Sequence, residues 1–502
     1  HLSIGRLDFD PEGGVIELYG DQYSLLTMTN GSRIFDLHIN KSVPAALDSD
    51  INIRNNLILD SFLDSNNHTI TIEGDWKNMG GPNLFYEGVS RVRFTGNKPQ
   101  FCSTEEFNIL EIDKPVQLLY NMPGADIQCG IYDWTSGGIW ISGDGSFTAT
   151  DLADNGIFGK YTLYGGSITL HQDAAHSTDM AGSININDGL FTISGGQAAG
   201  YWGGPGNAQL IMTGGVLDIT DFGINLSDSY PYNFSSTITG GTIRTPGFFL
   251  VNTPGFNPVG GEVEIYGAGN ATVSTSEGGS LWNLRTNKPS VMDRVVLLDA
   301  KINNNFIVDE GLAEVNYEAE LEVGNQLDIQ DGGWFDLNSG FLEMENLASI
   351  NVFDGGRFIS FGYPGALSHI RSRNPGNSYT LTAHSGSLVE ASYTIFEHLP
   401  AQGIYVGQGA VVNPSYAFNN CEFRSGSPGG TLLTIENDQD VVIENAFFPP
   451  NSWNGGSNVR KALNQGSITF MNATGDFSGE NFDDDPHDLI QWGPLKQLNL
   501  QV

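Results

Sequence analysis

Asp483, Asp484 and Asp485 stand in a row, and His487 follows two residues later. This is the densest group of acid, base and metal-ligand side chains in the sequence. A polysaccharide hydrolase needs such a group: one carboxylic acid protonates the leaving oxygen, and a second carboxylate acts as base or nucleophile. The same hard oxygens suit Ca²⁺. Asp438 and Asp440 in Asn-Asp-Gln-Asp, and Asp144 in Ser-Gly-Asp-Gly-Ser, join Asp483 and Asp485 as candidate calcium ligands. Neither an intact EF-hand loop nor an intact Gly-Gly-x-Gly-x-Asp nonapeptide is present, so the plainer reading of each cluster is a solvated acidic turn. A lyase would need a single Lys or Arg as base. Lys41, Lys114 and Lys288 instead recur at equivalent places in repeated segments, which points to a structural role. Sugar binding calls for exposed aromatic rings beside polar groups. The candidates are Tyr201-Trp202, whose Gly and Pro flanks in Ala-Gly-Tyr-Trp-Gly-Gly-Pro mark a loop, and Trp76 and Trp453 in Asn/Gly-rich loops.

The elements that must position these residues follow from composition and spacing. The chain has 502 residues, and Lys and Arg total 22 against 58 Asp and Glu, a net charge of −36. The 39% hydrophobic share is too high for a disordered acidic chain, so a core is expected. A polyanion repels nucleic acid and anionic membrane surfaces, so neither is expected as a partner. No apolar run reaches the roughly 18 residues of a membrane-spanning helix, so no direct membrane insertion is expected. The cysteines Cys102, Cys129 and Cys421 form no zinc spacing and no disulfide framework. They read as buried thiols, with a Cys102–Cys129 bridge left open. The chain opens at His1 without a charged-then-apolar leader, and we read it as part of a longer precursor.

A Gly pair followed by a short alternating strand recurs along the sequence. Gly137-Gly138 precedes Ile-Trp-Ile-Ser, Gly214-Gly215 precedes Val-Leu-Asp-Ile, and Gly355-Gly356 precedes Arg-Phe-Ile-Ser. Neighbouring copies lie mostly about 20 to 28 residues apart, a solenoid's period and too short for a propeller blade. A four-residue strand cannot bury its apolar face alone, but parallel stacking on the next copy makes a continuous core. At roughly 25 residues per turn the chain makes about 20 turns. Three textures follow one another: a region over 1–120, a Gly-Gly-rich region over 121–390, and an Asn-rich region over 391–502. In the last, Asn419-Asn420 and Asn437 are expected at turns, with side chains bonded along the stacking direction.

A longer unit overlies the short period. Residues 13–20 read GGVIELYG and lead to FDLHINK; residues 260–267 read GGEVEIYG and lead to WNLRTNK. With the closing stretches GGTLLTIENDQDVVIENAFF and GSITFMNATGDFSGENFDDDPHDLIQW, this unit resembles large repeat-built surface proteins of Bacteroidetes-like and Cloacimonas-like bacteria. The resemblance implies a right-handed parallel β-helix similar to the pectate-lyase fold, exported to the cell surface. It carries over no catalytic residue. The expectation is an all-β, extracellular, non-enzymatic surface-layer, fibre or adhesin subunit, whose partners are further copies of itself or cell-surface glycans. Alternatives are a polysaccharide lyase or glycoside hydrolase, or a glycan-binding adhesin, on the same scaffold.

Overall fold

The computed structural model describes the chain apart from residues 7, 155, 178, 198–199, 203–206, 228–232, 276–277, 451–454 and 494–502, and apart from the side chains of 174–177, 197, 200–202 and 207. It is an all-β parallel solenoid of about 21 turns, with 55% of residues in strands and 2% in helix. The contacts group the chain into two compact units, His1–Arg244 with Val259–Gly261, and Thr245–Pro258 with Glu262–Val502. The changes of texture near residues 120 and 390 do not mark this division.

Short alternating strands produce the stacking. Ile51–Ile53, Leu57–Leu59 and Ile70–Ile72 each bury their two outer residues and leave the middle one half-exposed. Ile51 faces Ile70 and Ile53 faces Ile72 across a parallel ladder. Like side chains therefore sit on like, one strand spacing apart, and form a continuous apolar interior. Between about residues 300 and 424 each turn of the second unit carries strands of three sheets. Asn305 faces Gln326, and Gln326 faces Ser349, so successive turns take 326 − 305 = 21 and 349 − 326 = 23 residues.

Corners are made where a side chain cannot fit. Gly189, Gly215, Gly241 and Gly261 all have positive φ and form a file along one corner of the first unit. A Cβ on Gly215 would lie 2.7 Å from the Gly189 carbonyl oxygen, and one on Gly241 would lie 2.5 Å from that of Gly214. Only glycine allows both the backbone angle and this approach.

The recurrent lysines brace turns, as their recurrence predicts. Lys41 Nζ donates to the Tyr19 carbonyl at 3.3 Å, and Lys288 Nζ donates to the equivalent Tyr266 carbonyl at 3.0 Å. Lys114 is fully buried and donates to the Lys98 carbonyl at 2.8 Å and to Gln100 Oε1. Each ammonium satisfies carbonyls that leave the ladder at a corner. Cys102, Cys129 and Cys421 are buried free thiols.

Candidate functional site

The acidic residues singled out in the sequence hold turns in place. Asp483 accepts from the Trp492 indole N–H at 2.7 Å, Asp485 from the backbone N–H groups of His487 and Ile490, and Asp484 pairs with Arg460 at 3.4 Å. Asp440 accepts from the Ser467 hydroxyl, while Asp144 and Asp438 are exposed. The three carboxylates that gather within 4.8 Å among the described residues are Glu320, Glu322 and Glu343, none of which the sequence reading named. Two of the three already have cationic partners. Arg373 and Lys301 pair with Glu322 at 2.9 and 3.5 Å, and Arg371 pairs with Glu343.

The aromatic candidates need correction. Trp76 is not in a loop. It begins the strand Trp76–Asn78, faces Leu57 inward and is fully buried, with its indole N–H on Glu105 at 2.7 Å. No ligand reaches that ring. Glu105 is walled in with it, and burial pushes its carboxyl up to about 8. Tyr201 and Trp202 lie on the strand Gly200–Trp202, but their side chains, like all of Trp453, fall outside the described residues.

A row of outward rings lies elsewhere, in the first unit. On the strands Gln100–Cys102, Leu119–Asn121 and Gly138–Ser142, Phe101 faces Tyr120 and Tyr120 faces Trp140, all three in the outward phase. Their centroids lie 5.5 and 5.3 Å apart, and Tyr164 stacks on Trp140 at 5.0 Å and 19°. Tyr120 and Trp140 are half-exposed, and Phe101 and Tyr164 are 42% and 46% exposed. Around the next corner Trp134 stacks on Phe158 at 5.8 Å and 14°.

A cavity of about 580 Å³ is lined by one ring of each set, Tyr120 and Trp134. Its floor is the file Gly137, Gly159 and Gly182. A Cβ on Gly137 would strike the Lys114 carbonyl at 2.4 Å, and one on Gly159 would strike the Trp134 indole nitrogen at 2.6 Å. Glycine thus lets Trp134 lie flat on the corner, its N–H held by the Gly137 carbonyl at 3.0 Å. Gln117, Ser136 and Lys160 supply polar groups at the walls. Flat apolar faces with a few fixed polar groups are the usual lining of a ligand site. A second cavity, about 640 Å³ beside Tyr405 in the other unit, has one aromatic ring in its lining.

The second unit holds one carboxyl of unusual character. Glu314 faces Asp336, and two strands on, Glu390 stands in the same outward column. Arg294 pairs with Glu314 at 2.9 Å, and Arg357, stacked 4.1 Å over Trp334, pairs with the fully buried Glu390. Asp336 between them keeps a buried Oδ1 with no hydrogen-bond partner. Burial first, then the Glu314 charge, push its carboxyl up to about 7, against the pull of Arg357. A group so placed exchanges a proton near neutrality.

Phe101, Tyr120, Trp140 and Tyr164 carry no loop signature in the sequence, because they sit on strands. The signal was present: in Gly-Ile-Trp-Ile-Ser the Trp occupies the phase opposite to the two isoleucines. Comparison with known proteins finds no matching family model, no matching curated protein and no matching solved structure.

Proposed function

We propose that the protein is an extracellular, non-enzymatic surface or fibre component that binds glycan in the aromatic groove. On this reading it is a right-handed, pectate-lyase-like solenoid of the kind that Bacteroidetes-like and Cloacimonas-like bacteria display, and its copies associate with one another. The observation that carries the reading is the row of outward rings beside a glycine-floored groove. Aromatic faces pack against the C–H faces of sugars, while flanking amides, hydroxyls and peptide groups bond the sugar hydroxyls. The acidic surface keeps such a protein soluble and away from anionic polymers.

Affinity electrophoresis through gels containing soluble polysaccharides tests the reading. Retardation by at least one neutral polysaccharide is expected, and it should be lost in Trp140→Ala. Migration unchanged on every polysaccharide would overturn it. New reducing ends or unsaturated products in the same incubations would replace it by a polysaccharide-cleaving enzyme, with Asp336 as the first residue to change.

A further inference from the structure

The geometry points to one mode of binding, which rests on the glycan reading above. We propose that the groove takes an extended, neutral, β-linked polysaccharide laid parallel to the stacking direction of the turns, one sugar per turn.

The rings follow the backbone lattice. Phe101, Tyr120, Trp140, Thr162 and Asn185 are five consecutive register partners. Ring-to-ring steps of 5.5 and 5.3 Å are little more than the strand spacing of about 4.8 Å. A β-1,4-linked hexose chain in its extended form advances one sugar over nearly the same distance. Rings and sugars therefore stay in step along a straight row. An α-1,4-linked chain coils, and would leave the row after one or two contacts. Beyond Trp140 the row passes over the buried Thr162 and reaches the half-exposed Asn185. On the other side Asp75 accepts the Phe101 backbone N–H at 3.0 Å. Hydroxyls of a continuing chain meet donors and acceptors there.

Charge selects the polymer further. The chain carries −36 overall, and Lys160 is the one cation in the groove lining. At the end of the row Lys77 already pairs with Asp75 at 3.2 Å, which leaves one exposed ammonium, too few to recognise a repeating uronate or sulfate. The peptide groups and the Gln117 amide suit a neutral chain.

The test is calorimetric titration of the full chain with β-1,4-linked gluco-oligosaccharides of two to eight sugars. The α-1,4-linked series of equal lengths and an oligogalacturonate run in parallel. Affinity is expected to climb with length up to about the five sugars that the row accommodates, then flatten, with the α-linked series at least about tenfold weaker. Trp140→Ala should cost about tenfold on the longer β-linked chains. Tyr164→Ala, at a more exposed ring, should also weaken binding and guards against a folding defect at Trp140. Affinity independent of length, equal binding of the coiled series, or preference for the anionic chain would each overturn this mode and leave glycan binding standing. Absence of binding to every sugar, together with unchanged electrophoresis, removes both.

Discussion

At the scale of single residues, the solenoid interior decides which polar groups keep their ordinary character. Asp336 is the sharpest case. Its carboxyl normally titrates near 3.8 and here sits at about 7. The native state therefore holds a proton that the unfolded chain releases over that interval. Stability is unpenalised below about pH 4, falls as pH rises toward 7, and stays low above it. Asp336→Asn removes the charge and keeps the shape. Its melting temperature should match the native chain near pH 4 and exceed it at pH 8, by a free energy of up to about 4 kcal/mol. A difference equal at both values would show that Asp336 is not the titrating group. Glu105, pushed to about 8 even with Trp76 and Asn78 donating to it, should behave alike in Glu105→Gln, with a gain of similar size. Neither acid was legible in the sequence. Burial depends on which phase of a strand turns inward, and for the segment beginning at Trp76 the surrounding Asn and Gly residues suggested a loop.

At the scale of strands and turns, repetition was legible and its side-chain consequences were legible in part. Asn420 was expected to bond along the stack, and it does: Asn445 donates to it at 3.0 Å, and Asn472 donates to Asn445 at 3.3 Å. All three have φ near +57°, a region asparagine tolerates and alanine does not. Asn445→Ala should cost about 1–2 kcal/mol, and Asn445→Gly less, because glycine restores the backbone and loses only the ladder. Equal losses in chemical denaturation would assign the whole effect to the side chain. Asn437 behaves differently, buried and bonded to the Ala410 carbonyl. The charged file Lys301, Glu322, Glu343 and Arg371 was not legible, since its members lie a turn or more apart and meet only through register. Glu322 directly opposes Glu343, a pairing that holds because Arg371 and Arg373 pair with them. Arg371→Ala leaves the 7%-exposed Glu343 side chain uncompensated. It should lose about 3 kcal/mol, and millimolar Ca²⁺ should recover part of the loss, because hard carboxylates freed of their arginine form a cation site. Melting curves with and without Ca²⁺ check this. A variant blind to calcium would mean that Glu320, Glu322 and Glu343 cannot converge on an ion.

At the scale of the whole molecule, charge and strand pairing oppose each other. The strand Val15–Gly20 pairs with Asp36–Lys41 and, among the described residues, with nothing on its other side. Its Ile16 and Leu18 are half-buried, whereas their partners Leu37 and Ile39 are fully buried. Val263 and Ile265, at the same places in the second GGxxExYG unit, are buried too. A parallel edge with apolar residues in the inward phase is a template for another turn, whether of the same chain or of a second copy. The net charge of −36 works against a second copy supplying that turn. Between like-charged molecules the repulsion reaches over a Debye length of about 10 Å at 0.1 M salt and about 3 Å at 1 M, while the apolar edge is little affected. Association should therefore be weak at low ionic strength and grow with added NaCl, and with Ca²⁺ at lower concentration, as sedimentation velocity would show. Leu18→Lys places a charge where the next turn would stack and should hold the chain monomeric under all these conditions, with its melting temperature nearly unchanged because Leu18 already meets solvent. A chain that stays monomeric at every salt concentration, or a Leu18→Lys variant that associates as the parent does, would show that this edge does not join copies. The solenoid would then act as a single molecule with its groove.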